Sequence, residues 1–206
     1  MDIFVFGTLR SDTLREIVLG RDMSSDDICE ATIKDFQVYW AKEGPFPVMI
    51  PEPNSEAYGL VLKNLSEPDV ERLNYYELGF DYVLATTSVE THAGQIGVSA
   101  YFCNRSDMAT SKLWSYDDWL SDHSEIQYLA AREFLDFFGT KFGDTAQVMY
   151  NSILKRAEVF VSESSTPSSA LEIGPDLNTN IQIEDLKREY LGFFALNQVD
   201  LKYPFF

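Results

Sequence analysis

The chain has 206 residues, 45% of them hydrophobic and 14% aromatic, and a formal net charge of −17. That length fits one generous domain, or one domain with an appendage, and the apolar content supplies a core, which excludes wholesale disorder. The acidic balance excludes nucleic acid and anionic membranes as main partners, because no basic stripe exists to neutralise phosphates.

The first predicted element is a buried strand, Ile3-Phe4-Val5-Phe6, which breaks at Gly7-Thr8-Leu9-Arg10. A helix follows: Ser11 or Asp12 caps it, Leu14, Ile17 and Val18 share one face, and Gly20 stops it. Such a turn is either a plain connection or a cradle whose unpaired N–H groups attract a carboxylate or phosphate. Phe36-Gln37-Val38-Tyr39-Trp40 reads as a strand. A loop built from Gly44-Pro45-Phe46-Pro47 and Pro51-Glu52-Pro53 follows, then a strand over Ala57-Tyr58-Gly59-Leu60-Val61-Leu62.

Ser66 opens the next helix, with Pro68 in its first turn and Gly79 at its end. Val70, Leu73 and Glu77 lie at i, i+3 and i+7, which puts Glu77 on or beside the inward face. Strands are expected over Tyr82–Val89 and, after Gly94-Gln95-Ile96-Gly97, over Val98–Phe102. Two long helices come next. Ile126, Leu129, Ala130, Phe134, Phe137 and Phe138 mark the core face of the first, and Ala146, Met149, Tyr150, Ile153, Leu154 and Ala157 that of the second. Residues 160–174 turn Ser/Thr/Pro-rich, like a linker, and a strand-like aromatic tail follows over Tyr190-Leu191-Gly192-Phe193-Phe194-Ala195-Leu196. That many aromatic side chains predict docking, within the chain by default or across a homodimer.

Several chemistries find no support in the residues. Cys29 and Cys103 make neither a disulfide framework nor a CxxC site. His92 and His123 are far apart and read as solvated or capping side chains, and Asp26-Asp27 and Asp117-Asp118 as solvated loop acids. No serine sits in a G-x-S-x-G elbow. Met1 leads directly into a strand without a signal peptide, and no apolar run spans a bilayer, so a soluble, cytoplasmic protein is expected. Glu77 stands out. Flanked by Tyr76 and Phe80 and next to Gly79, it is either a helix-end glutamate reaching solvent or an ion pair, or a carboxylate whose burial raises its pKa toward neutrality.

Together these segments resemble the gamma-glutamylcyclotransferase-like (AIG2-like) proteins. Phe4-Val5-Phe6-Gly7-Thr8-Leu9-Arg10 looks like their signature turn, and Phe46-Pro47-Val48-Met49-Ile50-Pro51 like their aromatic–proline segment. Tyr58-Gly59-Leu60-Val61 resembles their next strand, and Leu73-Asn74-Tyr75-Tyr76-Glu77 with Phe80-Asp81-Tyr82 their glutamate-bearing helix end. Phe6 stands where the family usually has tyrosine, and Asn74 replaces the common aspartate. The resemblance implies an α+β fold, a small mixed β-barrel with surrounding helices and a helical second half. It implies that the amides of Gly7, Thr8 and Leu9 hold the α-carboxylate of a γ-glutamyl compound. Phe6, Phe46, Pro47 and Tyr82 would complete the pocket wall.

Glu77 would be the general acid/base for an intramolecular attack that releases 5-oxoproline, with no cofactor and no metal. Such a chain is an acyltransferase or lyase by reaction type. The rival is a non-catalytic binding or interaction module that kept the fold. In the second half, Trp114-Ser115-Tyr116-Asp117-Asp118-Trp119, His123 and Ala130-Ala131-Arg132-Glu133 look like bacterial tellurite-resistance fusions in which this domain precedes a Nudix hydrolase. The expected organisation is therefore a domain over 1–160, with its barrel core to about 105 and a helical part from about 106. Residues 161–206 would be a linker and tail, the tail resembling the first Nudix strand. The Nudix catalytic helix is missing from the sequence, so no nucleotide-diphosphate hydrolysis is expected.

Overall fold

The computed structural model describes residues 1–77, 82–103, 105–139 and 146–164. All of these fall in the first of two compact units, Met1–Thr166; the aromatic tail belongs to the second, Pro167–Phe206, and lies outside the described residues. Gly79, Phe80 and Asp81 also lie outside them.

Strand β1 (Ile3–Val5) is buried along its whole length and sits between two neighbours, antiparallel to β3 (Pro47–Leu62) and parallel to β5 (Gly94–Cys103). β5 pairs with β4 (Tyr82–Thr91), which reaches β2 (Ile28–Ala41) through Thr32 and Glu90. β2 pairs back onto β3, so five strands close in the order β3-β1-β5-β4-β2, and β6 (Ala109–Leu113) attaches to the far end of β2. Closure removes the open edges that a small sheet would otherwise expose. Five helices complete the α+β architecture: α1 (Asp12–Leu19), α2 (Glu67–Glu77), α3 (Tyr116–Asp122), α4 (Ser124–Leu135) and α5 (Ala146–Ser164). The mixed barrel is the fold class the sequence implies.

Helix starts and stops follow local chemistry. Ser11 caps α1 by accepting the Leu14 N–H at 3.3 Å, and Gly20 ends it at φ 71°. α2 begins with a reciprocal cap: Ser66 donates its N–H and hydroxyl to Asp69 Oδ2 at 2.9 and 2.7 Å, and Asp69 is 3% exposed. Arg21 closes on the same carboxylate with two bonds of 2.9 and 2.7 Å, tying the segment after α1 to α2.

Five expectations need correction. β2 starts at Ile28 rather than Phe36, because the charged residues Glu30, Lys34 and Asp35 mask its alternation; Asp35 sits at a bulge with φ 61°. The proline-rich segment is strand, not loop. Pro47 and Pro51 lie opposite Trp40 and Phe36 of β2, Pro53 falls where that register shifts, and all three precede the stretch of β3 that pairs with β1, which begins only at Leu60. Asp117 and Asp118 form the first turn of α3 instead of a loop, with Trp119 completely buried behind them.

Phe138 is 37% exposed rather than in the core. After α4, the N–H groups of Phe137 and Phe138 bond three residues back, which breaks the helical period, and the Arg72 guanidinium covers the displaced ring at 5.0 Å. Helix α5 runs through Ser164, so residues 160–164 are helix where the sequence reads as linker. Among the described residues no helix is long and apolar enough to cross a membrane.

Candidate active site

Below Gly7 the chain makes a single 3₁₀ turn, Thr8–Arg10. Arg10 donates its N–H to the Gly7 carbonyl and Ser11 to the Thr8 carbonyl, both at 3.0 Å. The amides of Thr8 and Leu9 precede the first of these bonds, and among the described residues nothing accepts from them. Arg15, 4% exposed, secures the other side of the turn by donating to the Leu9 and Arg10 carbonyls at 3.0 and 2.7 Å. With those carbonyls engaged, the turn presents unsatisfied donors, the polarity an anion needs.

The turn is held against the loop between β2 and β3. A Cβ on Gly7 would lie 2.3 Å from Pro47 Cγ, a separation real atoms do not sustain, so this close packing requires glycine. Tyr82, buried at the start of β4, donates its hydroxyl to the Pro47 carbonyl at 2.8 Å and fixes that proline. Gly59 plays a similar part behind the turn. A Cβ there would meet the Val5 carbonyl at 2.4 Å, so β3 can lie close to β1 only with glycine.

Glu77 closes the arrangement from the end of α2. Phe6, Gly7, Thr8, Leu9, Phe46, Pro47, Tyr82 and Glu77 all line one cavity with room for about 90 Å3 of solvent. The eight residues nominated from the sequence are thus neighbours in space. Phe6 is buried, its ring 6.5 Å from that of Phe4, and gives this wall no hydroxyl.

The electrostatics separate Glu77 from every other carboxyl group described. Burial alone pushes its pKa up to about 7, with no ion pair or hydrogen bond to it among the described residues. Tyr76, Tyr82, Tyr101 and Tyr150 surround it closely enough that its charge raises the pKa of all four phenols, burial being the larger cause in each. All four remain neutral hydroxyls near pH 7. Tyr101 donates to Asn74 Oδ1 at 2.8 Å, so Asn74 braces the wall of the cavity from α2. A partly buried carboxyl group that titrates near neutrality, beside free backbone donors, can shuttle a proton for a ligand whose anionic end the turn holds.

The sequence profile described as "Gamma-glutamyl cyclotransferase, AIG2-like" matches residues 3–121, more than half of the chain. The chain belongs to that family. It is similar to AIG2-like protein A of Arabidopsis thaliana, 24% identical over 60% of this chain and 74% of that one. AIG2-like protein B of the same plant is 25% identical over 66% of this chain and 78% of its own. A solved structure titled "Gamma-glutamyl cyclotransferase" matches 91% of this chain and 98% of its own at 14% identity, with a TM-score of 0.43.

Other parts of the cavity escape a reading of the sequence. Tyr150 lies on a helix face read as ordinary core; it is buried, and it also faces the cavity. Tyr101, Gln127 and Asn151 line the site as well. Arg15 carries no signal in the sequence, since an arginine in the first turns of an amphipathic helix normally reads as surface. His123 packs edge-on against Trp40 at 5.6 Å, and His92 sits in the turn between β4 and β5. Among the described residues no group of His, Cys, Asp and Glu is placed to hold a metal ion.

Proposed function

We propose that the protein is a gamma-glutamylcyclotransferase-type enzyme that releases 5-oxoproline from a small γ-glutamyl amine or peptide. The observation that carries the reading is the cavity shared by the unpartnered Thr8 and Leu9 amides and a carboxyl group titrating near 7. In this reading the turn accepts the substrate's α-carboxylate, and the apolar wall of Phe6, Phe46 and Pro47 folds the γ-glutamyl chain back on itself. The neutral α-amino nitrogen attacks the γ-carbonyl carbon, and Glu77 takes a proton from that nitrogen. The bond from the γ-carbon to the leaving nitrogen then breaks, and Glu77 returns the proton to the departing amine. Nothing is oxidised or reduced. Because both reacting groups belong to one molecule, holding the folded conformer supplies much of the acceleration.

The test is to incubate the protein with a panel of γ-glutamyl amines and dipeptides and to measure 5-oxoproline. Product that disappears in Glu77→Gln supports the reading; no product from any compound, or undiminished turnover in Glu77→Gln, removes it. What supports a Nudix-fusion, tellurite-linked background is sequence alone, in Trp114–Trp119 and in Tyr190–Leu196.

A further inference from the structure

Part of the cavity wall is helical, and it carries a side chain that no step above uses. Gln127, Ala130, Ala131 and Phe134 form an i, i+3, i+4, i+7 row, and all four are buried. Three of them are what such a row demands. Gln127 is not, yet it is only 3% exposed. Among the described residues its side-chain oxygen, Oε1, has no hydrogen-bond partner. The residue lines the cavity and lies beyond the 3–121 segment that the family profile matches. The next residue fixes the position of the helix: Tyr128 and Ser11 share a 2.7 Å hydrogen bond between hydroxyls, pinning α4 to the cap that follows the turn.

A buried acceptor without a donor costs stability, and a hydrophobic residue would fill that place in the row at no such cost. Among the described residues the cavity lining offers no Lys, Arg or His, and its tyrosine hydroxyls and the Asn151 amide make no bond to this oxygen. A molecule that fills the cavity can supply the missing donor. We propose that Gln127 is a ligand-binding residue whose Oε1 accepts a hydrogen bond from an amide or amine N–H of the bound molecule. This adds a contact to the cyclotransferase reading, but its own evidence is the orphaned oxygen.

Gln127→Met keeps the length of the side chain and removes the acceptor; Gln127→Leu is a second variant against a packing fault peculiar to methionine. Each is compared with the wild-type protein, first by thermal unfolding without ligand, then by calorimetric titration with 5-oxoproline and with L-glutamine, which both carry N–H groups. The expected result is an unchanged or higher melting temperature, together with affinity about 5- to 10-fold weaker for the probes that bind. Where the wild-type protein turns over a γ-glutamyl compound, KM should rise by a similar factor, more than kcat changes. A melting temperature lower by several degrees in both variants would assign Gln127 a structural role, with a buried water satisfying its oxygen, and would overturn the proposal. Equal affinity of wild type and variants, or no binding of either probe by the wild-type protein at millimolar concentration, would overturn it too. Gln127-dependent binding without 5-oxoproline formation sinks the enzyme reading alone; turnover with unchanged KM in both variants sinks this assignment alone.

Discussion

Helix α2 carries a carboxylate at each end, and the two have opposite surroundings. Asp69 sits in the first turn, where the helix dipole is positive, and accepts from Ser66 and from both arms of Arg21. Those bonds hold its pKa well below the usual carboxylate range, the Arg21 contact being the largest cause. Glu77 sits at the negative end, has no such partner among the described residues, and is pushed up to about 7 by burial. The same functional group in the same helix thus stabilises the fold at one end and costs stability at the other. Evolution keeps a costly group where something other than folding needs it.

The largest effect that can break this comparison is on turnover. Glu77→Gln keeps the shape and removes the titrating group, so 5-oxoproline formation should fall about 10²- to 10⁴-fold. In the wild-type protein the rise of kcat/KM with pH should become shallower above about 7, once the base has lost its proton and only the substrate's own amine still titrates. The residual activity of Glu77→Gln should lack that change of slope. A rate profile of constant slope from pH 5 to 8 in the wild-type protein would mean that Glu77 is not the titrating group.

Asp69→Ala comes next, as a test of the opposite end. It removes the cap and leaves Arg21 without its partner, so the protein should lose about 2–3 kcal/mol, with the arginine contribution discounted for its exposure. In thermal unfolding that is a fall of about 5–10 °C. Because folding lowers the pKa of Asp69, its contribution is present above the unfolded value near 4 and is lost as pH falls toward the folded one. The gap between variant and wild type should therefore narrow in acid. A constant gap would show that packing, not charge, holds this end of the helix.

Glu77 should behave in the reverse sense. Its pKa is raised on folding, so between about 4.5 and 7 the native state binds more protons than the unfolded chain, and stability falls as pH rises through that window. Glu77→Gln escapes the cost and should be more stable than wild type by about 2 kcal/mol at pH 8, the two converging near pH 4. Urea titrations at the two pH values read this directly. A variant less stable than wild type at pH 8 would mean that Glu77 has a partner, and the contrast with Asp69 would disappear.

How much of this was legible in the sequence depends on whether the signal was local. Gly7, Ser11, Gly20, Ser66 and Glu77 are read from their neighbours, since caps, turns and helical faces are short-range physics, and all keep those places in the structure. The strand over Pro47–Pro53 was not legible, because whether a proline is tolerated depends on which edge of the strand is paired, a tertiary fact. Of the inward face read for α4, Ala130, Phe134 and Phe137 are buried, but Ile126 and Leu129 are half-buried, and the helix is turned so that Gln127 and Ala131 are buried in their stead. Apolarity located the stripe, but a buried glutamine is invisible to a method that counts apolar residues.

The smallest effect probes whether Glu77 is free of hydrogen bonds from its tyrosine neighbours. Tyr82 is the informative one, because its hydroxyl donates to the Pro47 carbonyl rather than to Glu77. Tyr82→Phe should lose about 1 kcal/mol as one buried carbonyl goes unsatisfied. It should also loosen Pro47 against Gly7, which would weaken substrate binding by a few-fold. The change of slope in kcat/KM near pH 7 should stay where it is, because what raises Glu77 is burial, and phenylalanine buries it equally well. A hydroxyl that donated to the carboxylate would favour its charged form, so losing that bond would move the change of slope to higher pH. A shift of a full unit in that direction would make Tyr82 a partner of Glu77, and the two ends of α2 would then differ in degree rather than in kind.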